Sequence, residues 1–262
     1  MAEMHSSKHQ PAHFTARLAD WFVTLTCWTW FTLGFICCFS LPYAYAAFLA
    51  KDSETATQKL NSLFFRVLFA ILRVTAPSHR LDIPPEIEAI RSSVIVCNHL
   101  SYLDPLLLIR TFPRHRTIVK TRFFSLPIFG QVITRAGYIP ASGEGHFARF
   151  MLQQLETMPS FLRSGGNLFV FPEGTRNRGE KAATFHPGAL KIARLCQAPI
   201  YIVHIENTEV LFPPGKFLFN SRRKNTITLR VVDRIQPDYQ NAPPSVTELE
   251  KQVLEAYNQG SP

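Results

Sequence analysis

The segment Val94-Ile-Val-Cys-Asn-His-Leu-Ser-Tyr-Leu-Asp-Pro105 decides how the rest of the chain is interpreted. Its β-branched beginning predicts a short buried strand, and the strand is followed directly by polar residues. These residues are Asn98, His99, Ser101 and Asp104. In α/β proteins, functional side chains are commonly placed at the end of a strand. The segment therefore predicts a candidate site at the end of a buried strand.

His99 and Asp104 have the chemistry of a general base and its orienting carboxylate. A histidine can accept a proton near neutral pH, and a carboxylate can hold its ring in one tautomer. A separation of five residues permits contact if the chain turns into a helix. Pro105 disfavours helical geometry at the preceding residue, so we expect a turn at Asp104. A helix cap with a structural histidine is the alternative.

A second apolar run, Asn167-Leu-Phe-Val-Phe-Pro-Glu-Gly-Thr-Arg176, predicts another strand that leads into a charged turn. The two segments together resemble the glycerolipid acyltransferase family, which includes the lysophosphatidate acyltransferases. Residues 98–104 resemble its motif of a His and an Asp separated by four residues, and residues 171–176 resemble its third motif. Lys120, Pro127 and Gly130 also match the family pattern between them.

This resemblance implies an α/β fold with a central mixed sheet flanked by helices, like that of the glycerol-3-phosphate acyltransferases. It implies acyl transfer from a thioester donor, acyl-CoA or acyl-carrier protein, to the hydroxyl of a lysolipid. No tightly bound cofactor and no metal are expected. His99 and Asp104 would be catalytic, and Asn98 and Ser101 supporting. The acceptor-binding residues would be Lys120, Glu173, Gly174, Thr175 and Arg176.

The chain departs from the family pattern after Gly137. Members that use phosphorylated acceptors often carry Gly-x-Ile-x-Ile-Asp-Arg there, whereas Ser142 and Gly143 occupy the Asp and Arg positions here. Lysophosphatidate is the default acceptor, and a lyso-ornithine lipid or another lysophospholipid is the alternative. Arg122, Arg135 or Arg149 could supply the missing charge.

The composition narrows the class of partner. The chain has 262 residues and a formal net charge of +9, which suits an anionic partner such as membrane lipid or nucleic acid. No nucleic-acid-binding signature is present, and neither Gly-x-Ser-x-Gly nor a P-loop motif occurs.

The five cysteines form no zinc pattern, which favours reduced thiols and a cytosolic catalytic domain. A catalytically silent membrane-binding relative remains the other class of function.

Residues 21–50 contain no charged side chain and are numerous enough to cross a bilayer as a helix. Pro42 predicts a break near Ser40. Residues 59–73 have an amphipathic pattern that suits an interface with anionic headgroups. One span and a hairpin in one leaflet both remain open, since positive residues flank the apolar run on both sides. We expect membrane association, with the catalytic domain on the cytoplasmic side.

Three regions are predicted: residues 1–75 as the membrane-associating segment, 76–240 as the catalytic domain, and 241–262 as a terminal helix and tail. Residues 76–91 should form a linker, and residues 145–163 a helix with Pro159 marking its distal end. Strands are expected near residues 198–204 and 226–232. The loop at 211–224 mixes aromatic and basic residues, which predicts contact with lipid headgroups or a surface hairpin. His186 is expected to be solvated.

Overall fold

The computed structural model describes residues 10–145, 147–172 and 187–259, with side chains from residue 17 onward. Within these residues, seven strands form one sheet in the order β1-β7-β6-β2-β5-β3-β4. All neighbouring strands are parallel except the antiparallel pair β6–β7. The expected mixed sheet is thereby confirmed. The strands are β1 His79–Asp82, β2 Val94–Cys97, β3 His115–Val119, β4 Ile139–Pro140, β5 Asn167–Val170, β6 Ile200–Glu206 and β7 Asn225–Ile235.

Helices cover both faces of this sheet, as the two buried hydrophobic clusters show. One cluster joins α3 and α5 to the sheet, and the other joins α7, α8 and α10 to it. The helices are α1 Gln10–Thr29, α2 Ser40–Phe48, α3 Ser53–Thr75, α4 Pro85–Glu88, α5 Leu103–Thr111, α6 Phe129–Arg135, α7 Phe147–Arg163, α8 Gly188–Cys196, α9 Thr208–Leu211 and α10 Val246–Gln259. A π-helical stretch, Trp30–Phe39, connects α1 to α2, and a 3₁₀-helix covers Thr121–Ser125.

The two strands predicted around the candidate site are neighbours in the middle of the sheet. Every residue of β2 and of β5 is buried. Val94 pairs with Leu168 on one side and with Ile200 on the other. Parallel strands buried on both faces require apolar residues at every position, which explains why these segments do not alternate. Parallel pairing also brings the ends of both motif-bearing strands to one edge of the sheet.

The N-terminal apolar segment is one long helix rather than two. The expected break near Ser40 is a change of winding, because the π-helical stretch ends at Phe39 and α-helix resumes through Pro42. Among the described residues, Arg17–Phe48 is a helix long and apolar enough to cross a membrane. Within an apolar stretch of 18 residues in this helix, only 28% of the residues are buried. Its exposed large side chains are Leu18, Trp21, Phe22, Leu25, Trp28, Phe31, Leu33, Ile36, Leu41, Tyr45 and Phe48.

The amphipathic segment predicted to lie on a lipid surface serves a different purpose. It forms α3, and its apolar residues Phe64, Leu68 and Leu72 are buried in the core. This stripe packs between the N-terminal helix and α5. The expectation that the apolar face of this helix lies on a lipid surface was wrong, because protein covers it: the apolar stripe packs the N-terminal helix against the rest of the core.

Two further expectations are corrected. The predicted linker contains β1 and α4, and β1 pairs in parallel with β7 at the edge of the sheet. The helix predicted over residues 145–163 is confirmed as Phe147–Arg163, but Pro159 lies inside it instead of marking its distal end. A proline inside a helix costs one hydrogen bond. Burial of Met158, Phe161 and Leu162 on both sides of it offsets that cost.

Candidate active site

The turn between β2 and α5 is fixed to the neighbouring strand by Asn98. Its side-chain nitrogen donates to the carbonyl of Ile205 at 2.8 Å, and its side-chain oxygen accepts from the N–H of Ile205 at 2.7 Å. The side-chain amide of Asn98 therefore supplies β6 with the hydrogen bonds that a neighbouring strand would otherwise provide where β2 ends. Asn98 holds the turn against β6.

His99 and Asp104 are in contact. The ring nitrogen Nδ1 lies 2.9 Å from Oδ2 of the carboxylate. Asp104 is fully buried, whereas 18% of the histidine side chain is exposed. An Nδ1–H group that donates to the carboxylate leaves Nε2 as the ring nitrogen that can accept a proton. No described residue forms a hydrogen bond with Nε2.

The buried carboxylate of Asp104 is fully supplied with donors. Oδ2 also accepts from the backbone N–H groups of Leu100 at 2.6 Å and Ser101 at 2.7 Å. Oδ1 accepts from the hydroxyl of Thr208. A buried charge is expensive unless it is hydrogen-bonded, and three donors converge on Oδ2 while one bonds to Oδ1. The arrangement stabilises an ionised group behind the histidine.

Asp104 lies in the first turn of α5, so the expectation that Pro105 would keep it out of the helix was wrong. A proline in the first turn of a helix has no intrahelical hydrogen bond to lose. The preference of the preceding residue for extended geometry is therefore outweighed by the hydrogen bonds of the carboxylate.

Ser101 is buried and its hydroxyl is engaged on both sides. It donates to the carbonyl of Phe212 at 2.8 Å and accepts from the N–H of Leu103 at 3.3 Å. The second contact bonds the N–H of the first residue of α5. The hydroxyl therefore supports the turn and is not free to act as a nucleophile.

The second motif begins beside the histidine. Phe171, the residue after β5, stacks on the His99 ring with centroids 4.4 Å apart and an angle of 27°. Glu173, Gly174, Thr175 and Arg176 lie outside the described residues, and so does His186. Lys120 is exposed and follows β3 at the same edge of the sheet, with β5 between β3 and β2.

Three groups near the pair were not assigned a role from the sequence. Thr208 reaches Asp104 across 104 positions, and no local pattern marks it. Glu209 follows it, and burial, assisted by the charge of Asp104, raises the pKa of its carboxyl, against the opposing effect of Arg223. Cys97 is fully buried, and burial followed by the charge of Asp104 raises the pKa of its thiol well above the usual range. Cys97 is therefore a protonated core residue rather than a nucleophile.

Residues 81–206 match the family model described as Acyltransferase, and this region contains the whole β2–α5 turn. This match covers a little under half of the chain. The chain is 29% identical over 122 residues to the chloroplastic 1-acyl-sn-glycerol-3-phosphate acyltransferase of Brassica napus, across 47% of this chain and 35% of that protein. The enzyme of the same name from Borreliella burgdorferi is 31% identical over 135 residues, across 50% of this chain and 52% of that protein.

The fold extends beyond the matched domain. The crystal structure of the 1-acyl-sn-glycerophosphate acyltransferase from Thermotoga maritima superimposes with a TM-score of 0.69, at 23% identity. The match covers 94% of this chain and 96% of that one, so the two share their fold. The chain spans about a third to a half of the length of the curated relatives it matches.

Proposed function

We propose that this chain is an O-acyltransferase that moves a fatty acyl group from an acyl thioester to the free hydroxyl of a lysolipid. The acceptor proposed first is 1-acyl-sn-glycerol-3-phosphate, which would give phosphatidate for phospholipid synthesis. The observation that carries the proposal is the contact between His99 and the buried Asp104, within a domain of the acyltransferase family. The curated relatives carry the name of this activity.

In the proposed mechanism, Nε2 of His99 removes the proton of the acceptor hydroxyl, and the oxygen attacks the thioester carbonyl. The tetrahedral intermediate collapses with cleavage of the carbon–sulfur bond, and the imidazolium returns its proton to the leaving thiolate. Asp104 accepts from Nδ1–H, holds the ring and stabilises the imidazolium. No acyl-enzyme forms, in keeping with the engaged Ser101 and the protonated Cys97.

The acceptor headgroup would be bound by the segment after Phe171. Arg176 is proposed to bind the anionic group, because a guanidinium matches phosphate or carboxylate oxygens with two hydrogen bonds. Glu173 would orient that arginine or a glycerol hydroxyl, and Gly174 and Thr175 would contact the headgroup oxygens. The stacking of Phe171 on His99 supports this assignment, since it brings the start of the segment to the base. Lys120 would add charge from β3.

The donor is proposed to be acyl-CoA or acyl-carrier protein, used as a substrate, with no nucleic acid as partner. The exposed apolar side of the N-terminal helix supports attachment to the membrane that contains the acceptor. We place the catalytic domain on the cytoplasmic side, where both thioester donors occur.

A second acceptor class is supported by the residues that replace the family's Asp-Arg pair. Ser142 follows β4, and its N–H donates to the hydroxyl of Thr121 at 3.2 Å. The chain after β4 is therefore joined to the segment after β3 by neutral groups. A neutral site would suit a lyso-ornithine lipid or another lysophospholipid. A membrane-binding relative without catalysis is the remaining candidate.

The test is acyl transfer by the purified full chain in detergent, with acyl-CoA and acyl-carrier protein each offered against a panel of lysolipids. Mass spectrometry of the lipid products identifies the acceptor. We expect His99→Ala to reduce transfer roughly a hundred- to ten-thousand-fold with an unchanged melting temperature. Normal transfer by that folded variant would falsify the role of His99.

The headgroup assignment has its own variant. Arg176→Ala should raise the KM for the acceptor and leave that for the donor unchanged, because the proposed role of this side chain is to bind the acceptor headgroup alone. Lys251→Ala removes an exposed positive charge on α10, which covers the face of the sheet opposite α5, and serves as the control. If both variants bind the acceptor equally well, the headgroup site lies elsewhere.

A further inference from the structure

We propose that Thr208 is a positioning residue for acyl transfer, whose hydroxyl fixes the plane of the Asp104 carboxylate so that Oδ2 faces His99. The inference rests on the proposed function and adds to it a residue outside both motifs. Thr208 is fully buried, and its hydroxyl donates to Oδ1 of Asp104. No other described residue donates a hydrogen bond to that oxygen.

The distribution of donors shows why one hydroxyl matters. Nδ1 of His99 and the N–H groups of Leu100 and Ser101 all bond to Oδ2, at 2.6 to 2.9 Å. Rotation about the Cβ–Cγ bond of an aspartate has a broad, roughly two-fold energy profile and moves both carboxylate oxygens together, so hydrogen bonds rather than the torsion itself hold the plane. The donor on Oδ1 restrains this rotation from the side opposite the three donors on Oδ2. Thr208 therefore contributes to the direction in which the acceptor orbitals of Oδ2 meet the ring.

Loss of the hydroxyl would leave Oδ1 buried and without a described partner. A buried charged acceptor without a donor carries a large desolvation penalty. The carboxylate would then rotate toward another donor or admit water, and either change tilts the hydrogen bond to His99. Small displacements of catalytic groups are known to cost up to about a hundredfold in rate.

The segment that carries Thr208 is held against the active-site turn at a second point. The carbonyl of Phe212 accepts from the Ser101 hydroxyl at 2.8 Å, and the N–H of Phe212 donates to the carbonyl of Thr208 at 2.9 Å. Asn207, just before Thr208, has the left-handed φ of +66° that begins α9. The two contacts, made through Thr208 and Phe212, therefore fix both the position and the rotation of α9 relative to His99 and Asp104.

The first experiment compares Thr208→Val with Thr208→Ser under steady-state conditions. We expect the valine variant to lose about ten- to a hundredfold in kcat, with both KM values within about twofold of wild type. The serine variant keeps the hydroxyl and should recover to within about threefold. Thr111→Val is the matched control, because Thr111 is also buried and, among the described residues, its hydroxyl bonds only to Leu107 within α5, at 2.8 Å.

If the valine variant fails to fold, Thr208→Ala against Thr208→Ser gives the same comparison, since these two differ by one oxygen. A double-mutant cycle then separates positioning from general support of the fold. In an Asp104→Asn background, removal of the Thr208 hydroxyl should add less than about threefold to the loss. If removal of the hydroxyl costs the same about ten- to a hundredfold in kcat in that background as in the wild type, the proposal is overturned. A Thr208 variant that changes only a KM value would overturn it too.

A readout without acyl transfer distinguishes this inference from the proposed function. Diethyl pyrocarbonate carbethoxylates a neutral imidazole, and peptide mass spectrometry gives the rate at His99. An oriented carboxylate on Nδ1–H makes Nε2 more nucleophilic, so the rate should fall several-fold in Thr208→Ala and recover in Thr208→Ser. Equal rates in both variants would refute positioning. If the wild-type protein acylates no lysolipid in the panel, the proposed function fails while this comparison still decides the role of Thr208.

Discussion

The carboxylate of Asp20, in the N-terminal helix, accepts hydrogen bonds from both the N–H and the hydroxyl of Ser221, at 2.8 and 2.7 Å. One turn further along the helix, the hydroxyl oxygen of Thr24 accepts from the N–H of Phe219 at 2.9 Å. Phe219 stacks on Phe212 with ring centroids 4.5 Å apart, close to the carbonyl that receives the Ser101 hydroxyl. The loop between α9 and β7 therefore joins the apolar N-terminal helix to the active-site turn.

Replacement of Asp20 by alanine should destabilise the protein and loosen this loop. The substitution leaves the buried N–H and hydroxyl of Ser221 without their acceptor, a loss of about 1–3 kcal/mol in the free energy of unfolding. Thermal unfolding in detergent measures it, with the exposed Asp82→Ala as the control for loss of a carboxylate. Equal melting temperatures for the two variants would show that the link contributes nothing.

The exposed apolar surface should bind lipid at the place where this loop meets the helix. Phe217 lies 6.0 Å from each of Trp21 and Trp28, stacked on Trp28 at an angle of 8°. All three remain more than 40% exposed. Aromatic residues of this kind favour the boundary between headgroups and acyl chains. Exposed Lys216, Arg222, Arg223 and Lys224 of the same loop add attraction to anionic lipids.

We expect the double variant Trp28→Glu with Phe217→Glu to bind more weakly to vesicles that contain anionic lipid, measured by flotation. Leu195→Glu is the control, because Leu195 is 60% exposed on α8, which covers the other face of the sheet. An equal reduction in both variants would mean that charge, rather than this aromatic surface, decides the binding.

The central strands and the contact between the base and its carboxylate could be predicted because their signals are local. The uninterrupted apolar residues of β2 and β5 are a pattern of adjacent positions, and His99 and Asp104 are five residues apart. The terminal helix α10 also has a local signal at its start, where Ser245 and Glu248 are three residues apart and form reciprocal hydrogen bonds with each other's backbone N–H groups.

The parts that were missed depend on residues far apart in the chain. The pairing of β1 with β7 joins positions almost 150 residues apart, and the four residues of β1 carry no strong strand pattern. The apolar stripe of α3 has the same appearance whether lipid or protein covers it. The hydroxyl that completes the hydrogen bonding of Asp104 comes from Thr208, which only the folded chain brings near.

Gly137 should tolerate no side chain, because two separate effects oppose one. Its φ is +74°, and a Cβ atom there would lie 2.6 Å from Oε1 of Glu54 and 2.8 Å from Nε of Arg116. Those two groups form a paired hydrogen-bond contact, at 2.7 and 2.8 Å, which joins α3 to β3. The alanine substitution therefore strains the backbone by about 1–2 kcal/mol and disturbs this ion pair by a further ~1–3 kcal/mol.

Gly165→Ala isolates the backbone effect, since Gly165 has a φ of +91° and a Cβ atom added there would meet no other atom within 4 Å. Chemical unfolding should show the larger loss of stability for Gly137→Ala. If the two variants lose equal stability, the ion pair adjusts without cost and only the backbone conformation matters.

His115 should make the protein less stable in acid. It is fully buried, with Nδ1 2.6 Å from the carbonyl of Phe112 and Nε2 2.7 Å from the hydroxyl of Tyr138. Burial lowers the pKa of His115 from 6.5 to about 4, and the hydrogen bond to Phe112 opposes that change only in part. The folded state therefore keeps a neutral ring at pH values where the unfolded chain is already protonated.

The sign of the effect follows from proton binding. Between about pH 6.5 and pH 4 the unfolded chain binds more protons at this position than the folded protein does, so stability decreases as the pH falls through that range. At pH 5 the loss from this residue should be about 2 kcal/mol. His115→Gln keeps a donor and an acceptor but does not titrate, and it should remove this part of the decrease. Urea unfolding in detergent at pH 7 and at pH 5 measures the difference for both proteins. A variant that loses as much stability on acidification as the wild type would show that His115 takes up its proton without unfolding.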